Sequence, residues 1–129
     1  MKLSVFKYDA ESFKGEILVK NTYGEFICYA YPFFGDINSI NPNAFDVLLA
    51  KNIVISDELN YKIEKNSKSY FAYSICGIKT NDFTISVDNM DFALDTMLPK
   101  DVIIGQYIKF ECLRIDAITT DCFKLKPHN

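Results

Sequence analysis

Between residues 105 and 118 apolar and polar positions alternate, and midway the alternation changes phase. Ile108, Phe110 and Cys112 are separated by Lys109 and Glu111, whereas Leu113, Ile115 and Ala117 are separated by Arg114 and Asp116. A period of two predicts a strand with one face on a core. Such a strand cannot exchange faces without an extra residue or a sharp bend, so a bulge or corner is predicted near Cys112 and Leu113.

The same pattern predicts further strands over residues 3–8, 14–20 and 25–31. Asn21-Thr22-Tyr23-Gly24 serves as a turn, which makes residues 13–31 a hairpin. Residues 32–43 carry Pro32, Gly35, Asp36, Asn38, Asn41 and Pro42 and read as a loop. Residues 45–55 fit two readings. Asn41 could cap a helix with Pro42 at its first position, or Phe45, Val47, Leu49, Ile53 and Ile55 could alternate along a strand; the strand is taken here. Residues 61–65 and 69–78 form a second hairpin around Asn66-Ser67-Lys68. Residues 82–88 place Phe83, Ile85 and Val87 inward after a turn at Thr80-Asn81. Residues 89–104 connect, with one helical turn at 90–95 ended before Pro99, and residues 122–125 add a last short edge.

About seven strands joined by tight turns, with at most one short helix, predict an all-β domain: a small curved antiparallel barrel or compact sandwich. The Gly105-Gln106-Tyr107-Ile108-Lys109-Phe110 run after Pro99-Lys100-Asp101 resembles oligonucleotide/oligosaccharide-binding (OB-like) barrels, in which a glycine turn feeds a long curved strand. That resemblance implies a sheet on which outward aromatics could stack bases or sugars.

Composition narrows the setting. A chain of 129 residues is one domain's worth, and with 49% hydrophobic residues it has enough apolar side chains for a core. A net charge of −3 argues against a dedicated nucleic-acid binder, because phosphate contacts need a basic face. No stretch reads as a signal peptide or a spanning helix, so a cytoplasmic, bacterial-type protein without membrane attachment is expected. Cys28, Cys76, Cys112 and Cys122 lack the close pairing of a zinc knuckle, and the first three sit among apolar strand residues, as core thiols do. No metal and no cofactor is expected.

The sole histidine, His128, lies next to the chain end, where a general base is not held in place. Glu16, Glu25, Glu64 and Glu111 fall on separate strands, and spacing alone pairs none of them. Asp88, Asp91, Asp95 and Asp101 are too loosely spaced, and lack the glycine, for a calcium loop. They can instead steer a basic partner.

Two features remain as a candidate binding site. Arg114 is the only arginine among 14 basic side chains, and it shares a strand face with Asp116. Its planar fork suits either a carboxylate or phosphate ligand or a structural ion pair. If the strand from Glu25 buries Phe26, Cys28 and Ala30, then Tyr29 and Tyr31 face outward together, beside Phe33 and Phe34 at the loop. The expected function is non-enzymatic: an interaction module for another protein, such as a toxin-neutralising (immunity-type) protein. The alternative is an OB-like binder of single-stranded nucleic acid or carbohydrate. A homodimer through an exposed edge strand is also open.

Overall fold

The computed structural model describes residues 1–121. Cys122, His128 and the short edge expected over residues 122–125 lie outside the described residues. The elements are β1 (Lys2–Asp9), β2 (Lys14–Asn21), β3 (Gly24–Ala30), a 3-10 turn (Ile37–Ser39), β4 (Ile40–Leu48), β5 (Lys51–Ile55), β6 (Lys62–Lys65), β7 (Tyr73–Asn81), β8 (Thr84–Val87), β9 (Met90–Leu94), β10 (Tyr107–Cys112) and β11 (Arg114–Thr119). The protein is all-β. Among the described residues 11 strands form one sheet in the order β1-β2-β3-β11-β4-β9-β8-β7-β10-β5, with β6 added alongside β7. This path does not close into a barrel.

The phase reversal is a corner. β10 ends at Cys112, β11 begins at Arg114, and Leu113 between them is 45% exposed. Ile108, Phe110 and Cys112 face the core on one side of it, and Ile115 and Ala117 on the other. The strand also changes neighbours there. β10 runs between β7 and β5, and β11 runs between β4 and β3.

Several expectations are corrected. The described residues contain eleven strands rather than about seven, and the sheet is not wholly antiparallel: β11 runs parallel to β3, and β4 parallel to β9. Residues 90–95 contain the strand β9 and not a helical turn, since Met90, Phe92 and Leu94 alternate into the core. Residues 45–55 are two strands. The Asp95 carboxylate accepts hydrogen bonds from the Leu49 and Ala50 amides at 2.7 and 3.1 Å and holds a turn there, with Leu49 at positive φ. Phe83 is exposed because it lies within the β7–β8 turn Asn81-Asp82-Phe83-Thr84, whose two central residues fall two positions later than the Thr80-Asn81 turn the sequence indicates. β7 begins at Tyr73, which leaves Tyr70 and Phe71 in the preceding loop.

The core centres on aromatic rings from four strands. Phe26 meets Phe45 at 5.1 Å and Phe92 at 5.7 Å edge-on, and Tyr73 lies 6.2 Å from it. Phe45 and Phe92 stack across the parallel β4–β9 pair at 5.6 Å. Such edge-to-face and offset arrangements are the ones favoured by ring quadrupoles.

The outer edge of β3 is completed by three different groups in turn. Tyr29 is in register with Asp116 of β11. Beyond the end of that short pairing, the Ile27 amide donates instead to the Tyr73 hydroxyl at 2.8 Å. Just before the strand, the Tyr23 carbonyl accepts from the Ile63 amide of β6 at 3.0 Å. Gly24 is required at this approach: its φ is +143°, and a Cβ would collide with the Ile63 carbonyl oxygen.

Candidate functional site

Register places the candidate side chains in one row. Glu16 of β2, Tyr29 of β3, Asp116 of β11 and Asp46 of β4 lie side by side on the outward face. Arg114 stands two residues before Asp116 and grips it with both prongs: Nε donates to Oδ1 at 2.6 Å and Nη2 to Oδ2 at 3.0 Å. The guanidinium carbon lies over the Tyr29 ring, 4.6 Å from its centre. One arginine thus neutralises the middle carboxylate of the row and caps an aromatic face. Burial, and then the neighbouring Asp116 charge, raise the Asp46 carboxyl above its usual range.

The loop of residues 66–72 crosses this face and adds Tyr70 and Phe71. The Lys65 ammonium organises it by donating to the carbonyls of Asn66, Ser69 and Ala72 while sitting 5.3 Å from the Tyr73 ring. Phe71 packs edge-on against Tyr29 at 6.3 Å and against Tyr70 at 4.8 Å. The Tyr70 hydroxyl donates to Glu16 Oε1 at 2.7 Å, and Lys7 lies 5.5 Å from its ring centre. The bond to Glu16 holds the phenol as a donor and pushes its pKa up to about 12.

Phe71 divides two hollows. On one side a cleft of about 650 Å³ is lined by Tyr8, Tyr29 and Phe71, with Lys7 and Lys14 balanced by Asp9 and Glu16. On the other a hollow of about 400 Å³ runs between Tyr70, Arg114, Leu113 and Leu49. Leu49 is 58% exposed there. The face therefore combines open rings, two exposed leucines and an arginine.

A separate trough of about 390 Å³ lies over β5, β10, β7 and β6. It exists because Ser74 and Cys76 on β7 are small, while Lys109, Glu111, Lys62 and Glu64 in register on either side are long. Its charges satisfy one another. Glu58 lies 3.7 Å from Lys62 and 3.8 Å from Lys109, and Lys62 lies 3.0 Å from Glu64. Glu111 receives Asn52, Asn66 and Lys68. With this closed set of partners, the trough is a weaker candidate than the aromatic face.

Of the residues expected at a surface site, the structure brings Tyr29, Arg114 and Asp116 into direct contact. Tyr31 follows as a side chain 50% exposed beyond the end of β3. Phe33 is not at the surface. It is fully buried, its amide donates to the Phe13 carbonyl at 2.8 Å, and its ring fills the space left by Gly15. Phe34 is half-buried against Phe13 at 4.7 Å, and its amide donates to Asp121. The contributions of Glu16, Lys7 and Tyr8 were not visible in the sequence, because only tertiary folding brings the 66–72 loop onto β2 and β3.

Cys28, Cys76 and Cys112 are free and buried. Desolvation pushes the Cys28 thiol up to about 12 and the Cys112 thiol up to about 11, which keeps both protonated and unreactive near neutrality. Among the described residues no group of three or more His, Cys, Asp or Glu side chains is placed to hold a metal ion. No helix among them is long and apolar enough to cross a membrane. No family model matches the chain, and neither the curated proteins nor the solved structures include a match to it.

Proposed function

We propose that this protein is a non-enzymatic interaction module whose aromatic face, built on Tyr29, Tyr70, Phe71 and Arg114 with Tyr31 at its margin, binds another protein. The observation that carries this reading is the Arg114–Tyr29 stack set among exposed rings and the exposed Leu49 and Leu113. Tyrosine and arginine beside apolar groups are the residue types that dominate binding energy at protein interfaces. Their rotamers are already fixed here by Asp116, Glu16 and Lys65, so little ordering entropy is lost on association. A toxin-neutralising, immunity-type role is the most specific form of this proposal.

The test is affinity capture from host lysate with the wild-type chain and with Tyr31→Ala and Tyr70→Ala. The expected result is one stoichiometric protein retained by the wild type and lost from both variants. Absence of such a protein, or its undiminished retention by both variants, would refute the reading.

The cleft beside Phe71 favours a second reading, carbohydrate binding. Rings with carboxylates and balanced lysines suit a neutral sugar better than a polyanion, which would need a basic groove. Glycan binding abolished by Phe71→Ala, with no protein captured, would select this reading.

A further inference from the structure

We propose that the free edge of β5 pairs antiparallel with β5 of a second copy of this chain, about a two-fold axis through Val54. β5 ends the sheet path, so one side of its backbone has no strand neighbour among the described residues. The Ser56 amide donates to the Tyr107 carbonyl at 2.8 Å, which turns Ser56 and Val54 toward β10. Alternation then turns the main-chain groups of Ile53 and Ile55 to the open side. Val54 is 53% and Ile55 48% exposed, although Ile55 is in register with the fully buried Ile108. The edge strand therefore presents apolar side chains to solvent.

The occupant follows from the sequence around Val54, which is Lys51-Asn52-Ile53-Val54-Ile55-Ser56-Asp57. Reading outward in both directions gives isoleucine with isoleucine, asparagine with serine, and lysine with aspartate. Antiparallel pairing about Val54 sets Ile53 opposite Ile55 of the second copy, with outward-facing amides and carbonyls meeting. It also brings Lys51 to Asp57 at both ends. The bulge at Asn52, with its positive φ, ends the regular edge, and the long Lys51 side chain spans the remainder.

Centring the pair on Ile53 or Ile55 instead would set Lys51 or Asp57 against an isoleucine. Centring it between residues would set outward groups against inward ones. Only the Val54 axis satisfies both charge and backbone. The other sheet edge, β1, is interrupted by a bulge at Phe6 and carries Lys2 and Lys7, features that discourage edge pairing. The resulting interface is isologous and closed, so it stops at a dimer.

Sedimentation velocity of the full chain from micromolar to near-millimolar concentration tests the proposal. The wild type is expected to show a monomer–dimer equilibrium. Val54→Lys sets two ammonium groups against each other on the axis and should raise the dimer dissociation constant by at least about tenfold. Asp57→Lys should weaken the dimer, and combining it with Lys51→Asp should restore wild-type association. A wild type monomeric throughout, a dimer untouched by Val54→Lys, or a charge swap that restores nothing would each overturn the proposal. If circular dichroism shows that Val54→Lys fails to fold, the charge-swap pair, at exposed positions, decides by itself.

Discussion

Replacing Tyr73 with phenylalanine isolates one hydrogen bond at the centre of the fold. The Tyr73 ring is buried beside Phe26 and keeps that packing in the variant, and only the hydroxyl is lost. That hydroxyl accepts from the Ile27 amide at 2.8 Å, at the gap where β11 no longer runs beside β3 and β6 has not yet reached it. No backbone carbonyl replaces it in the arrangement described. An unsatisfied buried donor costs about 1–3 kcal/mol, and because Ile27 is half-buried the lower half of that range applies, about 1–2 kcal/mol. For a chain of this length that corresponds to a fall in melting temperature of roughly 3–8 °C. Urea unfolding followed by circular dichroism measures the loss as a lower midpoint at unchanged slope. A midpoint that does not move would mean that water or backbone relaxation satisfies the amide. The account of how the edge of β3 is completed would then fail.

Three further outcomes follow from the packing and the ionisable groups. Gly15→Ala places a Cβ 2.5 Å from the buried Phe33 ring and should cost about 1–3 kcal/mol by overpacking, read from the same urea curves; a neutral result would show that Phe33 is free to shift. Hydrogen bonding from Asn52, aided by Lys68, holds the Glu111 carboxyl below its usual range. Because the folded-state value is depressed, its contribution is present above the ordinary value of 4.5 and is lost as pH falls through the folded value. Wild type and Glu111→Gln should thus differ in melting temperature near neutrality and converge in acid, and a constant difference would contradict the assignment. Finally, peptide mapping after iodoacetamide treatment at neutral pH should find Cys28 and Cys112 unmodified in the native protein and modified in urea; rapid native labelling of either would contradict their burial.

The parts of the fold legible in the sequence are those in which alternation and turn chemistry act locally. β2 and β3 bury every second residue, the turn before Gly24 needs its positive φ, and the change of phase at Leu113 is a corner. What escaped depends on distant partners. Met90–Leu94 is too short for its alternation to outweigh a helical reading, and it becomes a strand by lying parallel to β4. Pro42 argues against a strand by itself. It is tolerated in β4 because the register with β11 is irregular there and β9 pairs only from Ala44 onward. The break after Leu48 depends on the carboxylate of Asp95, far along the chain. For the site, the outward direction of Tyr29 and the pairing of Arg114 with Asp116 could be read from spacing. The burial of Phe33 could not, since it depends on the absent side chain of Gly15 on β2.

The corner at Leu113 also explains why the only arginine of the chain stands where it does. A straight continuation of β10 would leave Arg114 beside β7 and β5, far from Tyr29. Turning at Leu113 carries the chain between β4 and β3 and sets Asp116 opposite Tyr29, in a row that already holds Glu16 and Asp46. Asp116 and Asp46 on adjacent strands repel one another, and after burial that repulsion is the second cause of the raised Asp46 carboxyl. A lysine at this position could supply the compensating charge. It could not also bind both oxygens of Asp116 while placing its charge over the Tyr29 ring, because a point charge has no fork. The geometry of the corner therefore favours arginine on structural grounds, and the same planar group is left 36% exposed. Under the proposed function, structural pairing and binding are compatible roles for Arg114: the ion pair with Asp116 would hold the guanidinium in the orientation that a partner would meet.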